Sequence, residues 1–225
     1  MKLIQCWDDG IVDDIRMTHI LRRYNAKATF SLNPGLNLEE RSFGWVHEGR
    51  EVWRLSVGEL PDVYDGFEIC SHSMTHPCLT DISAERLDWE VGASRDILQG
   101  ILKRSVLGFC YPFNAYNERV KAALRSAGYI WARGGQNDEG IFPPRDPFEF
   151  NFSCHFLSFD FWNRLKIARE RDGVFFFWGH SCEIKNEDMW QDFEALIAKM
   201  SSEANMEWSF ITDLFMSESF RLQHE

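Results

Sequence analysis

Short apolar runs alternate along this chain with longer stretches whose apolar residues recur at the three- and four-residue spacing of a helix face. The runs Lys2 to Trp7, Ala28 to Leu32, Phe67 to Cys70, Val106 to Cys110, Tyr129 to Ala132, Phe150 to Cys154, Val174 to Trp178 and Trp208 to Ile211 are brief and rich in aromatic and β-branched side chains, which predicts strands. Between them, 13–24, 83–102, 117–127, 160–171 and 187–200 read as helices, with Asn117 placed to cap one and Gly128 to end it. Alternating strands and helices predict a parallel sheet. About seven or eight strands with no Gly-rich phosphate loop predict an α/β fold of the distorted (β/α)7-8 barrel, TIM-like kind, in preference to a dinucleotide-binding sheet. The stretch from Gly35 to Gly66 is too long for an ordinary loop and carries Trp45, His47 and Trp53. It reads as a lid or substrate wall over the barrel mouth, or else as a segment packed on the barrel flank.

Composition narrows the class. With 225 residues and 44% hydrophobic content, the chain suffices for one sizeable core, and no linker or repeat divides it, so residues 1–225 read as a single domain. Thirty-five acidic against 24 basic residues give a formal charge of -11, which repels a phosphate backbone and makes nucleic acid and anionic membrane poor partners. No apolar stretch approaches the roughly 18 to 20 residues of a membrane span. Met1 leads directly into a strand-like run without the features of a secretory signal, so a cytoplasmic location is expected. The six cysteines form no C-x-x-C pair and should be free thiols in a reducing compartment.

Candidate chemistry collects just after the strands, where a β/α barrel gathers its functional groups at one rim. Asp8-Asp9-Gly10 follows the first strand, His72-Ser-Met-Thr-His76 the third, Tyr111-Pro-Phe-Asn114 the fourth and Gly179-His180-Ser181 the seventh. Asp9, His72 and His76 make a set of two imidazoles and a carboxylate, with the histidines spaced as on one helical face, and such a set suits a divalent metal with positions left open for water. Zinc is the expected ion, with cobalt, nickel or manganese also accepted by these donors. Asp8 is placed to take a proton from water, and His180, at a strand end, to act as an acid. Paired aspartates before glycine are also ordinary turn residues, and a lone H-x-x-x-H says little, so the conjunction at strand ends carries the reading. Trp7, Tyr111, Phe113 and Trp178 border these motifs and are candidates to stack on sugar rings.

In these residues the sequence resembles the polysaccharide deacetylases of carbohydrate esterase family 4, distorted barrels that remove acetyl groups from amino sugars. Cys6-Trp-Asp-Asp-Gly10 looks like the family's first motif, which implies Asp8 as general base and Asp9 as metal ligand. Ser71-His-Ser-Met-Thr-His-Pro77 looks like the second, whose two histidines complete the metal set. Phe109-Cys-Tyr-Pro-Phe113 looks like the third, implying that the backbone N–H of Phe113 helps hold the oxyanion, and Trp178-Gly-His180 looks like the last, which supplies the general acid. Two departures stand out. Cys110 occupies the position of an arginine that pairs with the catalytic aspartate, leaving Asp8 without a partner to depress its pKa. The Asp-rich motif that orients the catalytic histidine is absent, with His155, Asp160 or Glu183 as stand-ins.

The expected function is therefore metal-dependent hydrolysis of an N-acetyl, less readily an O-acetyl, group on an amino sugar or short glycoconjugate. Two alternatives stand beside it: hydrolysis of another linear or cyclic C–N bond on the same barrel, and a carbohydrate-binding relative without turnover, prompted by Cys110.

Overall fold

The computed structural model describes residues 1–134 and 142–217. In chain order it contains β1 (Lys2–Asp8), α1 (Asp14–Arg23), β2 (Thr29–Leu32), β3 (Ser42–His47), β4 (Arg50–Arg54), α2 (Leu60–Val63), β5 (Glu68–Ser71), α3 (Ala84–Asp88), a π-helical turn over Trp89–Ala93, α4 (Ser94–Leu102), β6 (Gly108–Cys110), α5 (Glu118–Ser126), β7 (Trp131–Arg133), β8 (Cys154–His155), α6 (Phe161–Glu170), β9 (Val174–Gly179), α7 (Glu187–Ser202), β10 (Glu207–Trp208) and α8 (Ile211–Phe215). None of the described helices is long and apolar enough to cross a membrane.

The main sheet runs in the order β7-β6-β5-β2-β1-β9-β8, with β10 beside the start of β1, and every pairing in it is parallel. The segment from Phe150 to His155 brings its two edges together. Phe150 bridges to Arg133 on β7, and four residues later Cys154 pairs with Phe177 on β9. The sheet thus curls into the distorted (β/α) barrel expected from the alternation of elements.

Alternation along the strands divides the apolar residues into two layers. Ile4, Cys6, Cys70, Cys110, Trp131, Phe150, Phe152, Val174 and Phe176 form an inner cluster, closed from below by Ile211, Leu214 and Phe215 of α8. Leu3, Trp7, Phe30, Ile69, Phe109, Phe175 and Phe177 belong to an outer cluster shared with the helices. Asn117 caps α5 by accepting the Val120 N–H at 3.0 Å, and Gly128 follows that helix at φ +83°, as their positions required.

Three expectations need correction. Phe150 to Cys154 is not a regular strand, because it crosses from one edge of the barrel to the other and only Cys154–His155 lies in a ladder. Of Trp208 to Ile211 only Trp208 lies in a strand, which is Glu207–Trp208, since the Glu68 carboxylate accepts the N–H groups of Ile211 and Thr212 and starts α8 there. Residues 42–54 form an antiparallel hairpin turned by Glu48 and Gly49, both at positive φ, where no strand was expected.

Gly108 is held to glycine by its neighbour strand, since a Cβ there would lie 1.9 Å from the Trp131 ring. Gly108→Ala should therefore lower stability by at least the roughly 1–3 kcal/mol of ordinary overpacking. Gly100→Ala, in open space on α4, should be neutral or stabilising. Urea denaturation midpoints for the two variants test the contrast, and an unshifted Gly108→Ala would contradict the packing of Trp131 across β6.

Candidate active site

The parallel strands deliver Asp8 and Asp9 (β1), His72 (β5), Tyr111 (β6), Arg133 (β7), His155 (β8) and His180 (β9) to the same end of the barrel. The backbone there is strained. Asp9, Ser73, His76, Phe113 and Asn114 all sit at positive φ, so five of the nine such non-glycine residues among the described residues belong to three loops of this rim. Side chains other than glycine rarely hold that conformation unless the surroundings enforce it, and such residues cluster at functional sites.

One oxygen of Asp9 and one nitrogen each of His72 and His76 lie within 4.8 Å of one another, and the two Nε2 atoms are 3.1 Å apart. That separation is close to the edge of a tetrahedron with metal–nitrogen bonds of about 2.0–2.1 Å, so the donor set fits a divalent ion. His72 donates its Nδ1–H to the Cys110 carbonyl at 2.8 Å, which leaves Nε2 with its lone pair for the ion. Burial pushes His72 down to about 4 and lowers His76, so both imidazoles are neutral near pH 7, the form that ligates. The helical-face reasoning for this pair is corrected: residues 72–76 are not helical, and the convergence comes from a turn with Ser73 and His76 at positive φ. That turn is pinned by Asn33, which donates to the carbonyls of His72 and Ser73, and by the buried Glu90 of the π-helical turn, which accepts from Thr75. Asp8, His72 and Cys110 also lie close enough for a metal, but burial holds the Cys110 thiol well above its usual pKa and Asp8 is engaged elsewhere.

The engagement of Asp8 overturns the expectation, drawn from Cys110, that this carboxylate has no partner to depress its pKa. Arg133 Nη2 donates to Asp8 Oδ1 in an ion pair whose side chains are 1% and 4% exposed, and Ser31 Oγ donates to the same oxygen. Burial works against the carboxylate, but the Arg133 charge, joined by His72, His180 and the Ser31 hydrogen bond, outweighs it and holds Asp8 well below the ordinary carboxyl range. Cys110 on β6 is the register partner of Arg133 on β7. The cation absent from one strand is thus supplied by the facing position of the next, and the Cys110 Sγ, 3.8 Å from Asp8 Oδ1, fills the space beside it.

His180 has two companions. Glu183 Oε2 accepts the His180 backbone N–H at 2.9 Å and lies 3.6 Å from its Nδ1, and the same oxygen accepts from His155 Nε2 at 2.8 Å. His155 Nδ1 accepts the Leu157 N–H, so the proton of a neutral His155 is on Nε2. That tautomer makes the His155, His180 and Glu183 group a hydrogen-bonded network and not a metal site. Burial opposes a charged His180, but Glu183 and the charges of Asp8 and Asp9 prevail and lift it to about 9. His180 Nε2 is 3.8 Å from Asp9 Oδ2. Gly179 makes this possible, since a Cβ there would collide with Phe156 at 2.3 Å and crowd Glu183 at 3.2 Å. Asp160 takes no part: it accepts from Ser158 and Arg164.

The aromatic candidates separate. Tyr111 is buried, stacked on Tyr116, with its hydroxyl donated to the Phe148 carbonyl, so its side chain is no substrate contact. Trp7 is buried in the outer core. Phe113 is 68% exposed with its ring against His76, and half-buried Trp178 lies between His155, His180 and the Arg133 guanidinium. The β3–β4 hairpin stands against the rim and not on the flank. Arg54 donates to the Asp9 carbonyl at 2.8 Å, Val12 to Trp53, and Arg50 to Asp13. Sequence reading missed Arg133 and Arg54, both reached across strands and not along a motif.

A family profile described as polysaccharide deacetylase matches residues 2–131. No curated protein matches the chain. Among solved structures it is similar to the Xyl-CE4 domain of a multidomain xylanase from the hindgut metagenome of Trinervitermes trinervoides (18% identity, TM-score 0.62, covering 95% of this chain and 89% of that one). It is also similar to a family 4 carbohydrate esterase from Streptomyces lividans in complex with acetate (14% identity, TM-score 0.60, covering 93% and 92%). A third is a CE4 family pseudoenzyme from Bacillus anthracis (15% identity, TM-score 0.59), where the match covers 95% of this chain and 64% of that one. At these identities the likeness is one of fold.

Removing Arg133 alone strands a buried carboxylate. Arg133→Met should cost about 3–5 kcal/mol of stability by chemical denaturation, and adding Asp8→Asn should recover most of it. Additive losses in the double variant would mean that the two groups do not interact.

Proposed function

The chain belongs to the polysaccharide deacetylase family, and on that footing we propose that it is a metal-dependent deacetylase that hydrolyses the N-acetyl group of an amino sugar or short glycoconjugate. The observation that carries the proposal is the convergence, at one rim, of three metal-type donors, a carboxylate kept ionised by Arg133 and a histidine kept protonated by Glu183.

Asp9, His72 and His76 would hold the divalent ion, zinc before cobalt, nickel or manganese. When bound there, the ion supplies Lewis-acid polarisation of the acetyl carbonyl and of the attacking water. Asp8 accepts the proton of that water, for which the Arg133 pair keeps it ionised. The N–H of Phe113 donates to the oxygen that becomes negative as the carbonyl is attacked. His180 gives its proton to the departing nitrogen as the C–N bond breaks, leaving acetate and a free amine. An amine needs that proton more than an alcohol does, which favours amide over ester. Trp178 confines the His180 ring, and Phe113 offers an exposed face for a sugar. The hairpin against the rim favours a substrate of one or two rings over a long polymer.

The inactive, carbohydrate-binding alternative lost its motive when Arg133 was found where Cys110 had implied a vacancy. No observation favours another C–N bond over an acetamide.

Acetate release from N-acetylglucosamine, its disaccharide and long chitin fragments, with and without chelator, tests the proposal. Release should require metal and favour the short substrates; none from any of them would sink it. Asp8→Asn should lose about 10²–10⁴-fold in turnover while keeping its metal, whereas His76→Ala should lose both.

The pH profile isolates His180. Activity needs its protonated form, so it is present below the His180 pKa, which stands at about 9 against the cost of burial, and is lost as pH rises through it. Glu183→Gln removes the anion nearest His180, so the alkaline limb should move to lower pH while the acid limb stays. An unmoved alkaline limb would assign it to another group.

A further inference from the structure

Arg54 differs from the other cation at the site. Its side chain is nine-tenths buried, yet no carboxylate lies within ion-pair distance among the described residues. The Asp9 carboxylate acts on it only from beyond ion-pair distance, and a buried charge without a direct partner is costly in a chain with this excess of acidic groups to offer, whereas Arg133 has such a partner in Asp8. One edge of the Arg54 guanidinium is accounted for, since Nη1 donates to the Asp9 carbonyl at 2.8 Å. Its face covers the Trp45 ring at 5.2 Å. The N–H groups of Nε and Nη2 make no hydrogen bond among the described residues, and neither is sealed from solvent. What remains is a rigid pair of charged donors, clamped between the hairpin and the Asp9 turn, beside the candidate metal ligands and open on one side. A planar fork of this kind matches a carboxylate or phosphate.

We propose that Arg54 is an anion-recognition residue that makes the site select an acetylated sugar bearing a carboxylate or phosphate group. The proposal rests on the deacetylase reading and narrows its substrate class. The hairpin then has a function of its own, because β4 brings this fork to a rim whose remaining groups serve the acetyl carbon.

Isothermal titration of the protein in zinc-containing buffer tests it with N-acetylglucosamine, N-acetylglucosamine 6-phosphate and N-acetylmuramic acid, which place the charge at different positions, and with sodium acetate to detect capture of the product. The wild-type protein should bind at least one charged sugar about tenfold or more tighter than the neutral one, and added salt should erode only that preference. Arg54→Gln keeps a donor for the Asp9 carbonyl but loses the charge, and should bring the ratio to within about twofold. Arg54→Lys should retain part of it, because a point charge lacks the fork. The ratio is insensitive to structural damage that weakens all sugars alike, and thermal melts establish that each variant is folded. Equal affinity for charged and neutral sugars, a preference that survives Arg54→Gln, no binding of any sugar, or a charge effect confined to acetate would each overturn the proposal. Acetate release from neutral sugars without any charge preference would leave the deacetylase reading standing while removing this one, and no release from any sugar would remove the deacetylase reading itself.

Discussion

A carboxylate and a guanidinium, both almost sealed from water inside a barrel, cannot be there independently of each other. Desolvating either ion costs several kcal/mol, and the attraction between Asp8 and Arg133 offsets that cost only because Ser31 donates as well and two thiols fill the remaining space. The pair fixes the top of the inner core, which is why small residues surround it: Cys6, Ser31, Cys70 and Cys110 come from four consecutive strands and leave room for one long side chain from a fifth. A larger residue at any of them would displace Arg133, and Asp8 would then have to take up a proton or leave the interior.

The rim is built outward from that pair. Asp9 follows Asp8 with its chain in a left-handed turn, and Gly10 continues it at φ +66°, where a Cβ would press on Leu32 at 3.0 Å. The reversal turns successive carboxylates to different tasks, one paired within the barrel and one facing the imidazoles. It is secured from outside by Arg54 on the Asp9 carbonyl and by the Gly10 carbonyl accepting from Leu55. The same economy appears at β9, where Glu183 binds the backbone of His180, faces its ring and anchors His155, so a single carboxylate fixes the position of His180 and joins Asp8 and Asp9 in holding its proton. The strained turns at Asp9 and Ser73 are thus held by contacts from other strands or loops, as strain of this kind requires.

How much of this was legible in the sequence follows from where the information lies. β1, β2, β5 and β9 were readable because they are short, largely buried runs rich in apolar residues, and α1, α5, α6 and α7 because one face is apolar. Asp8, Asp9, His72, His76 and His180 were readable because each lies within a short motif at a strand end. The β3–β4 hairpin was not, since its strands mix exposed aromatic residues with charges and its stability derives from docking on the rim. Tyr111 was misjudged because it shares a motif with Phe113, whereas its ring packs inward on Tyr116 and the backbone turns at Phe113, at φ +56°, to expose that ring. Among the proposed stand-ins for the missing acidic motif, only the residues that follow strands, His155 and Glu183, reach His180, whereas Asp160 begins a helix and serves that helix.

Arg133 shows why the remaining gap could not be closed by reading along the chain. Its segment carries no motif, and within a single strand nothing marks it as the partner of a residue 125 positions away. The decisive quantity is cross-strand register: Cys110 and Arg133 face each other on neighbouring parallel strands, so their side chains enter the same volume of the barrel interior. A cation required in that volume can be supplied from either position, provided the other contributes something small, and a cysteine satisfies that condition where a second arginine would not fit or be tolerated beside the first charge. The physical requirement is one positive charge next to Asp8, and the motif position is only one of two ways to meet it. A departure from a family motif at an inward-facing barrel position is therefore weak grounds for inferring lost activity until the facing residues of both adjacent strands have been inspected.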